Sequence, residues 1–174
     1  MTPIVDADGW ALDRAKPDDI EELMRWFSDD EAVRVWGGPN FRAPFTPETF
    51  AEDCHWPGMD SFCLREPGRD AADAMAAFGQ LYDRNGRINL ARLIAHPERR
   101  GQGIGRRLVG LLMVAGARLL PLSEYSLFVY RNNAPALACY EAMGFEINPD
   151  YPADQILADE CYFLTRGVDP RFRE

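Results

Sequence analysis

Leu93-Ile94-Ala95-His96-Pro97-Glu98-Arg99-Arg100-Gly101-Gln102-Gly103-Ile104-Gly105-Arg106-Arg107-Leu108-Val109 decides how the rest of this 174-residue chain is read. An apolar strand end runs into a short polar loop, then a turn with glycine at every second position, then the start of a helix. Gly101, Gly103 and Gly105 take away the side chains that would keep a ligand off the backbone, so successive N–H groups can converge on one anion. The helix behind them adds unpaired first-turn donors and the positive end of its dipole. The stretch therefore predicts a seat for a phosphate or pyrophosphate.

Three readings of that seat are open from the glycines alone. A dinucleotide-binding fold would place GxGxxG directly after its first strand, with an acid about 20 residues on. Glu124 falls near that distance, but the spacing here is GxGxG and His96 to Arg100 separate strand from turn. A plain glycine turn that only starts a helix is the second reading. The third rests on Arg100, Gly103 and Gly105, which fill the pattern of an arginine or glutamine, two residues, glycine, one residue, then glycine or alanine. The strand end Leu93-Ile94-Ala95-His96-Pro97 fits the segment that leads into that pattern. Downstream, Asn133-Ala134-Pro135-Ala136-Leu137-Ala138-Cys139-Tyr140-Glu141-Ala142-Met143-Gly144-Phe145 carries Asn133, Ala136, Tyr140, Gly144 and Phe145 at matching spacing. In these two segments the chain resembles the GNAT superfamily of acyl-CoA-dependent N-acyltransferases.

Composition bounds the reading. The length suits one domain with a single core. Hydrophobic residues make up 47% and charged residues 27%, which excludes a disordered chain. A net charge of −9 argues against nucleic acid and anionic membrane as partners, since both are polyanions. It suits a cationic acceptor, and it suits solubility equally well. Cys54, Cys63, Cys139 and Cys161 form no CxxC, and only His55 and His96 offer ring nitrogens, so no metal site is expected. Free thiols, no basic-apolar leader and no apolar run of about 20 residues lead to the expectation of a soluble cytoplasmic protein.

The chain in order alternates strands and helices. Trp10 to Ala15 reads as a first strand. Pro17 with Asp18 and Asp19 starts a helix whose Ile20, Leu23, Met24 and Phe27 recur at helical spacing. Asp30 to Val35 is a second helical piece, and Thr46 caps a third that runs from Pro47 toward Asp53. Ser61 to Arg65, Ala74 to Asp83 and Arg87 to Ala95 are strands, with a polar turn at Gly68 to Asp73 and an Asn85-Gly86 hairpin. Ile104, Leu108, Leu111, Leu112, Ala115 and Leu119 form the buried stripe of a helix that ends near Leu120-Pro121. Glu124 to Tyr130 follows as a strand, so strand, helix and strand form a parallel crossover. Asn133 opens a helix that Gly144 stops, and strands at Phe145 to Ile147 and Glu160 to Thr165 complete the order.

One loop carries more aromatics than loops need. Trp36-Gly37-Gly38-Pro39-Asn40-Phe41-Arg42-Ala43-Pro44-Phe45 either plugs one end of the core or walls a pocket. The resemblance implies that this region, between the first two helices, shapes the choice of substrate. Trp36, Phe41 and Phe45 are therefore the candidate substrate-binding residues.

The resemblance further implies a single GNAT-like α/β domain over residues 1–174, with a mixed central sheet splayed at the cofactor site and flanked by helices. It implies transfer of an acetyl group from acetyl-CoA, as co-substrate and with no metal, to a primary amine of a small molecule or peptide by direct attack. The protein is expected as a monomer or homodimer. The cofactor-binding set is Leu93, Ile94, Ala95, Arg100, Gly101, Gln102, Gly103, Ile104, Gly105, Arg106 and Asn133. The pyrophosphate would sit on the glycine turn, the pantetheine arm beside Leu93-Ile94-Ala95, and the oxyanion on a backbone N–H near Ala95. Tyr140 is the candidate catalytic acid, because a phenol with a reference pKa of about 10 is protonated at neutral pH. Its spacing with Ala136 and Met143 also fits a core stripe. The base is the gap. Strand Arg87 to Ala95 holds no acid, and Phe128 stands where some family members place a glutamate. Either a water chain leads the amine proton to Asp83, Tyr82 or Glu124, or the acceptor arrives already neutral, and His96 reads as a structural residue of the His-Pro loop. A module that binds acyl-CoA as a sensor without transfer is the alternative function.

Overall fold

A computed structural model of the chain describes residues 1–69, 74–153 and 158–173. The elements follow in the order that the sequence predicts, preceded by one short strand that it does not predict. They are strands β1 (Ile4–Val5) and β2 (Ala11–Arg14); helices α1 (Pro17–Met24), α2 (Asp30–Gly37) and α3 (Pro47–Asp53); strands β3 (Asp60–Arg65), β4 (Met75–Arg84) and β5 (Arg87–Ala95); then α4 (Ile104–Leu119), β6 (Glu124–Tyr130), α5 (Ala134–Ala142), β7 (Glu146–Ile147) and β8 (Cys161–Gly167). The strands form one mixed sheet in the order β1-β2-β3-β4-β5-β6-β8-β7. β5 and β6 are parallel, whereas β1 with β2, β2 with β3, β6 with β8 and β7 with β8 are antiparallel. The ladder of β5 with β6 is two pairs long, Ile88 with Tyr125 and Asn89 with Ser126. On its other side β6 is paired along its whole length, from Glu124 with Gly167 to Tyr130 with Cys161.

By packing, the chain divides into two compact units. The first is Met1–Gln80 with Arg92–Leu112, and the second is Leu81–Ala91 with Met113–Glu174. In the first unit the three short helices have local causes. Asp19 accepts from the Lys16 N–H at 2.8 Å, Asp29 from the Ala32 N–H at 2.8 Å, and Thr46 from the Thr49 N–H at 3.2 Å, so each N-terminus has a side-chain acceptor. Their apolar faces converge on one cluster that includes Ile20, Leu23, Trp26, Val33, Phe41, Phe50, Met75 and Phe78. Burying each such side chain contributes about 1.5–3 kcal/mol. In the second unit Tyr125, Leu127 and Val129 alternate into the core, and the Tyr125 hydroxyl donates to the Met113 carbonyl at 2.6 Å. Asn89 and Ser126 are buried polar residues that satisfy each other, Ser126 Oγ donating to Asn89 Oδ1 at 3.1 Å.

β1 is absent from the sequence reading, and the other differences fall at element ends. β1 is two residues long, too short to show alternation. The first expected strand shrinks to Ala11–Arg14, and α2 continues to Gly37 because Gly38, at φ 105°, is what ends it. The strand expected from Phe145 begins at Glu146, and β8 begins one residue later than expected and ends two residues later, at Gly167. The hairpin turn has the expected chemistry, with Asn85 at φ 54° and Gly86 at φ 76°. The polar turn predicted over Gly68 to Asp73 lies partly outside the described residues, which omit 70–73.

Candidate active site

The glycine turn is built as an open cradle. A short 3-10 turn at Pro97–Arg99 leads into it, and Gly101 and Gly103 both take φ 77°, a left-handed conformation that other residues adopt at a cost. Gly101, Gln102, Gly103, Gly105 and Arg106 are exposed, while Ile104 is buried and anchors the turn. The Arg107 N–H bonds to the Gly103 carbonyl at 3.1 Å. Gly103 thus acts as N-cap, and the N–H groups of Ile104, Gly105 and Arg106 have no intrahelical acceptor. A Cβ placed on Gly101, Gly103 or Gly105 would meet nothing within 4 Å, so the space above the backbone is clear. The arginines around it divide by role. Arg107 is paired with Asp6 and Asp8 and lies over the Trp10 ring, and Arg99 is paired with Glu66 at 2.9 Å. Arg100 and Arg106 remain exposed beside the turn. The cradle can hold a diphosphate with backbone donors while two guanidinium groups balance its charge.

Leu93, Ile94 and Ala95 are half-buried at the end of β5. The Leu93 side chain packs toward Gly79, and Ile94 packs against the cluster of the first three helices. His96 has a structural place. Its N–H bonds to the Ala76 carbonyl at 2.9 Å, its Nδ1 accepts from the Glu98 N–H at 3.3 Å, and its ring meets Trp26 edge-on at 5.0 Å.

The three aromatic candidates do not share one environment. Phe41 is 3% exposed and belongs to the core of the first unit, touching Phe50 and Trp36. Trp36 is half-buried, stacks on Phe50 at 5.9 Å and 7°, and has a buried Nε1 with no hydrogen-bond partner among the described residues. Phe45 is half-buried and lines an open groove of about 410 Å³ with Glu21, Met24, Arg25 and Pro47. Arg42 ties their loop to α3 by a forked pair with Asp53 and a bond to Glu52. That guanidinium holds the Asp53 carboxyl below its ordinary range.

In the second unit Asn133 caps α5, its side chain accepting from the Ala136 N–H at 3.3 Å. Tyr140 is half-buried, with its ring 6.3 Å from that of Phe145 in an edge-on arrangement. Burial, aided by the neighbouring Cys139 thiol, pushes the Tyr140 phenol up to about 12. The carboxylates weighed as proton acceptors are engaged locally. Asp83 accepts from the Gly86 N–H at 2.9 Å in the hairpin turn, and Glu124 is paired with Arg87. Among the described residues no group of three or more His, Cys, Asp or Glu side chains is placed to hold a metal ion. Cys54, Cys63, Cys139 and Cys161 are thiols, and among the described residues no helix is long and apolar enough to cross a membrane.

Residues 20–145 match the model of the acetyltransferase (GNAT) family. The chain belongs to that family, and is an acetyltransferase by class. A probable spermine N(1)-acetyltransferase of Bacillus subtilis subsp. natto is 26% identical over 115 residues, which is 63% of this chain and 74% of the relative. The spermine/spermidine N(1)-acetyltransferase of Bacillus subtilis strain 168 matches to the same extent. Among solved structures, the Vibrio cholerae spermidine N-acetyltransferase in complex with CoA and spermine superposes with a TM-score of 0.69 at 15% identity, over 94% of this chain and 97% of that one. The ribosomal-protein-S18-alanine N-acetyltransferase of Escherichia coli gives 0.64 at 20% identity, over 92% and 94%. At these identities the structural likenesses establish the GNAT fold of the chain.

The sequence reading missed two features of the first unit. One is the groove at Glu21 and Phe45, formed by two segments far apart in sequence. The other is Arg92, whose backbone takes φ 50° inside β5. Its signal was an arginine within the otherwise apolar run Leu90 to Ala95.

Proposed function

We propose that the protein transfers the acetyl group of acetyl-CoA to a primary amine of a small molecule or peptide, by direct attack of the amine nitrogen on the thioester carbonyl. The observation that carries this reading is the open turn Gly101–Arg106, where Gly101, Gly103 and Gly105 leave clear space at their Cβ positions and the N–H groups of Ile104, Gly105 and Arg106 have no intrahelical acceptor at the start of α4. A CoA diphosphate supplies the anion such a turn lacks. Arg100, Gly101, Gln102, Gly103, Ile104, Gly105 and Arg106 would hold it, Leu93, Ile94 and Ala95 would pair with the pantetheine arm, and Asn133 would bind the same arm through its amide nitrogen.

In the reaction the N–C bond forms, the carbonyl oxygen takes negative charge, and the C–S bond then breaks. A backbone N–H near Ala95 stabilises the oxyanion. Tyr140 donates its hydroxyl hydrogen to the departing sulfur and is reprotonated by the proton that the attacking amine gives up. With Asp83 and Glu124 engaged elsewhere, the acceptor enters as the neutral amine. That predicts a rate that rises with pH until the acceptor is deprotonated.

Polyamines are the first acceptors to test. Relatives named above are spermine and spermidine acetyltransferases. Residues 1–60 carry 14 of the 28 acidic and 5 of the 19 basic side chains, so the whole net charge of −9 lies in the segment that holds Trp36, Phe41 and Phe45. The deciding experiment is thiol release from acetyl-CoA with spermine, spermidine, amino-terminal peptides and simple alkylamines. Release with at least one amine supports transfer. Tight acetyl-CoA binding by calorimetry without release from any of them would leave the sensor module instead.

A further inference from the structure

Arg92 stands at a break in the pattern of β5. Ile88 lies against Gly116 of α4, and Leu93 lies against Gly79 together with Leu108 and Leu112 of α4. Residues five apart in a regular strand point to opposite faces, yet both of these meet the same helix. One residue between them is therefore extruded, and Arg92, at φ 50°, is in the conformation that does so. A residue bearing a side chain holds that conformation only when its surroundings over-determine it.

The surroundings do. Arg92 Nη1 donates to Gln80 Oε1 at 2.7 Å and to the Cys54 carbonyl at 3.4 Å, and Nη2 donates to the Asp53 carbonyl at 3.3 Å. The last two acceptors are at the C-terminal end of α3, where a cation is favoured. Gln80 is fully buried and is itself fixed, its Nε2 donating to the Cys54 carbonyl at 2.9 Å and to Ser61 Oγ at 2.8 Å. The guanidinium carbon lies 5.4 Å from the centre of the Phe41 ring.

We propose that Arg92 is a positioning residue for acetyl transfer: its clamped side chain holds the left-handed turn in β5, and that turn sets the direction of the backbone N–H and C=O groups of Leu93, Ile94 and Ala95. The proposal rests on the reaction given above, in which those groups hold the acyl arm and its oxyanion. Arg92 acts through the strand, its guanidinium being held by Gln80, Cys54 and Asp53.

The test compares Arg92→Gly, which tolerates φ 50° but has no clamp, with Arg92→Lys, which keeps the charge but not the fork. Amide hydrogen exchange of the protein without substrate is the first measurement. Exchange at Leu93, Ile94 and Ala95 should speed up at least about tenfold in Arg92→Gly and by less in Arg92→Lys, while Tyr125 to Val129 stay at the wild-type rate. Turnover should fall about tenfold or more in Arg92→Gly, with acceptor KM within about twofold, as misdirected catalytic groups require. Wild-type exchange at Leu93 to Ala95 in both variants overturns the clamp. A uniform rise over all strands, or wild-type turnover in Arg92→Gly, overturns the positioning role. Should the wild-type enzyme release no thiol with any amine, the reaction itself fails, and the exchange data still decide whether Arg92 holds the strand.

Discussion

A tyrosine whose phenol is pushed up to about 12 is a hydrogen-bond donor that never switches off in the working range of the enzyme. Tyr140→Phe should leave acetyl-CoA affinity unchanged by calorimetry and lower turnover at least about tenfold, the loss expected when one general acid is removed. Unchanged turnover would take Tyr140 out of the reaction. The same raised value fixes the shape of the pH profile. Since the phenol stays protonated well past neutrality, kcat/KM should climb as the acceptor loses its proton and then level off, with no descending limb before about pH 10. A descending limb centred near pH 8 would assign the donor to another group. Burial is the main cause of the shift, and it was visible in advance only as the ambiguous spacing of Ala136, Tyr140 and Met143. Periodicity marks the inward side of a helix; it does not say whether that side faces packed atoms or a substrate.

At the level of elements, the glycine turn was legible because its requirement is local. Residue type alone leaves the backbone at Gly101, Gly103 and Gly105 uncovered and permits the positive φ that Gly101 and Gly103 adopt. Gly105 separates ligand binding from stability. It sits inside α4 without a left-handed φ, and an added Cβ would meet no protein atom. Gly105→Ala should therefore raise the melting temperature slightly, in keeping with a helix-propensity gain of about 0.5–1 kcal/mol. Acetyl-CoA affinity should stay within about twofold in the same variant, because the pattern that Gly105 fills admits alanine at this place; a large loss in calorimetry would show that the ligand approaches this backbone more closely than the pattern requires. Gly103→Ala is expected to lose both, since alanine resists φ 77° by about 1–2 kcal/mol. Elements set by distant partners were less legible. Phe41, read as a pocket wall or a plug, is buried by Trp36 and Phe50 from the helices on either side of its loop, a closure that no periodicity signals. The extruded residue of β5 depends on Gln80 and on α3, and no short window of sequence contains those partners together.

Across the whole molecule, the titrating groups define a band of pH in which the fold is most stable. Cys54 is fully buried and its thiol is pushed up to about 12 by desolvation; Cys63 and Tyr125 are raised by burial as well. Such groups hold their protons more tightly in the folded than in the unfolded chain. Their contribution is complete below the unfolded thiol value of about 8.5 and is lost progressively as pH rises toward the folded values. Asp6, Asp29, Asp53 and Asp169 behave oppositely. Each is held below its ordinary value, Asp53 first by Arg42 and Asp29 first by the Ala32 N–H, so their contribution is present above about pH 4 and fades as acid protonates them. The melting temperature should accordingly be flat between about pH 5 and pH 8 and fall on both sides, with the alkaline fall beginning near pH 9. Cys54→Ala tests the assignment. Removing the sulfur leaves a small cavity and lowers the melting temperature at neutral pH, but it also removes a buried thiol that desolvation holds well above its ordinary value. The drop between pH 8 and pH 10.5 should then be shallower than in the wild-type protein, measured by differential scanning calorimetry. An alkaline limb of identical depth in both proteins would mean that Cys63, Tyr125 and Tyr140, not the thiol beside the Arg92 clamp, set the upper bound.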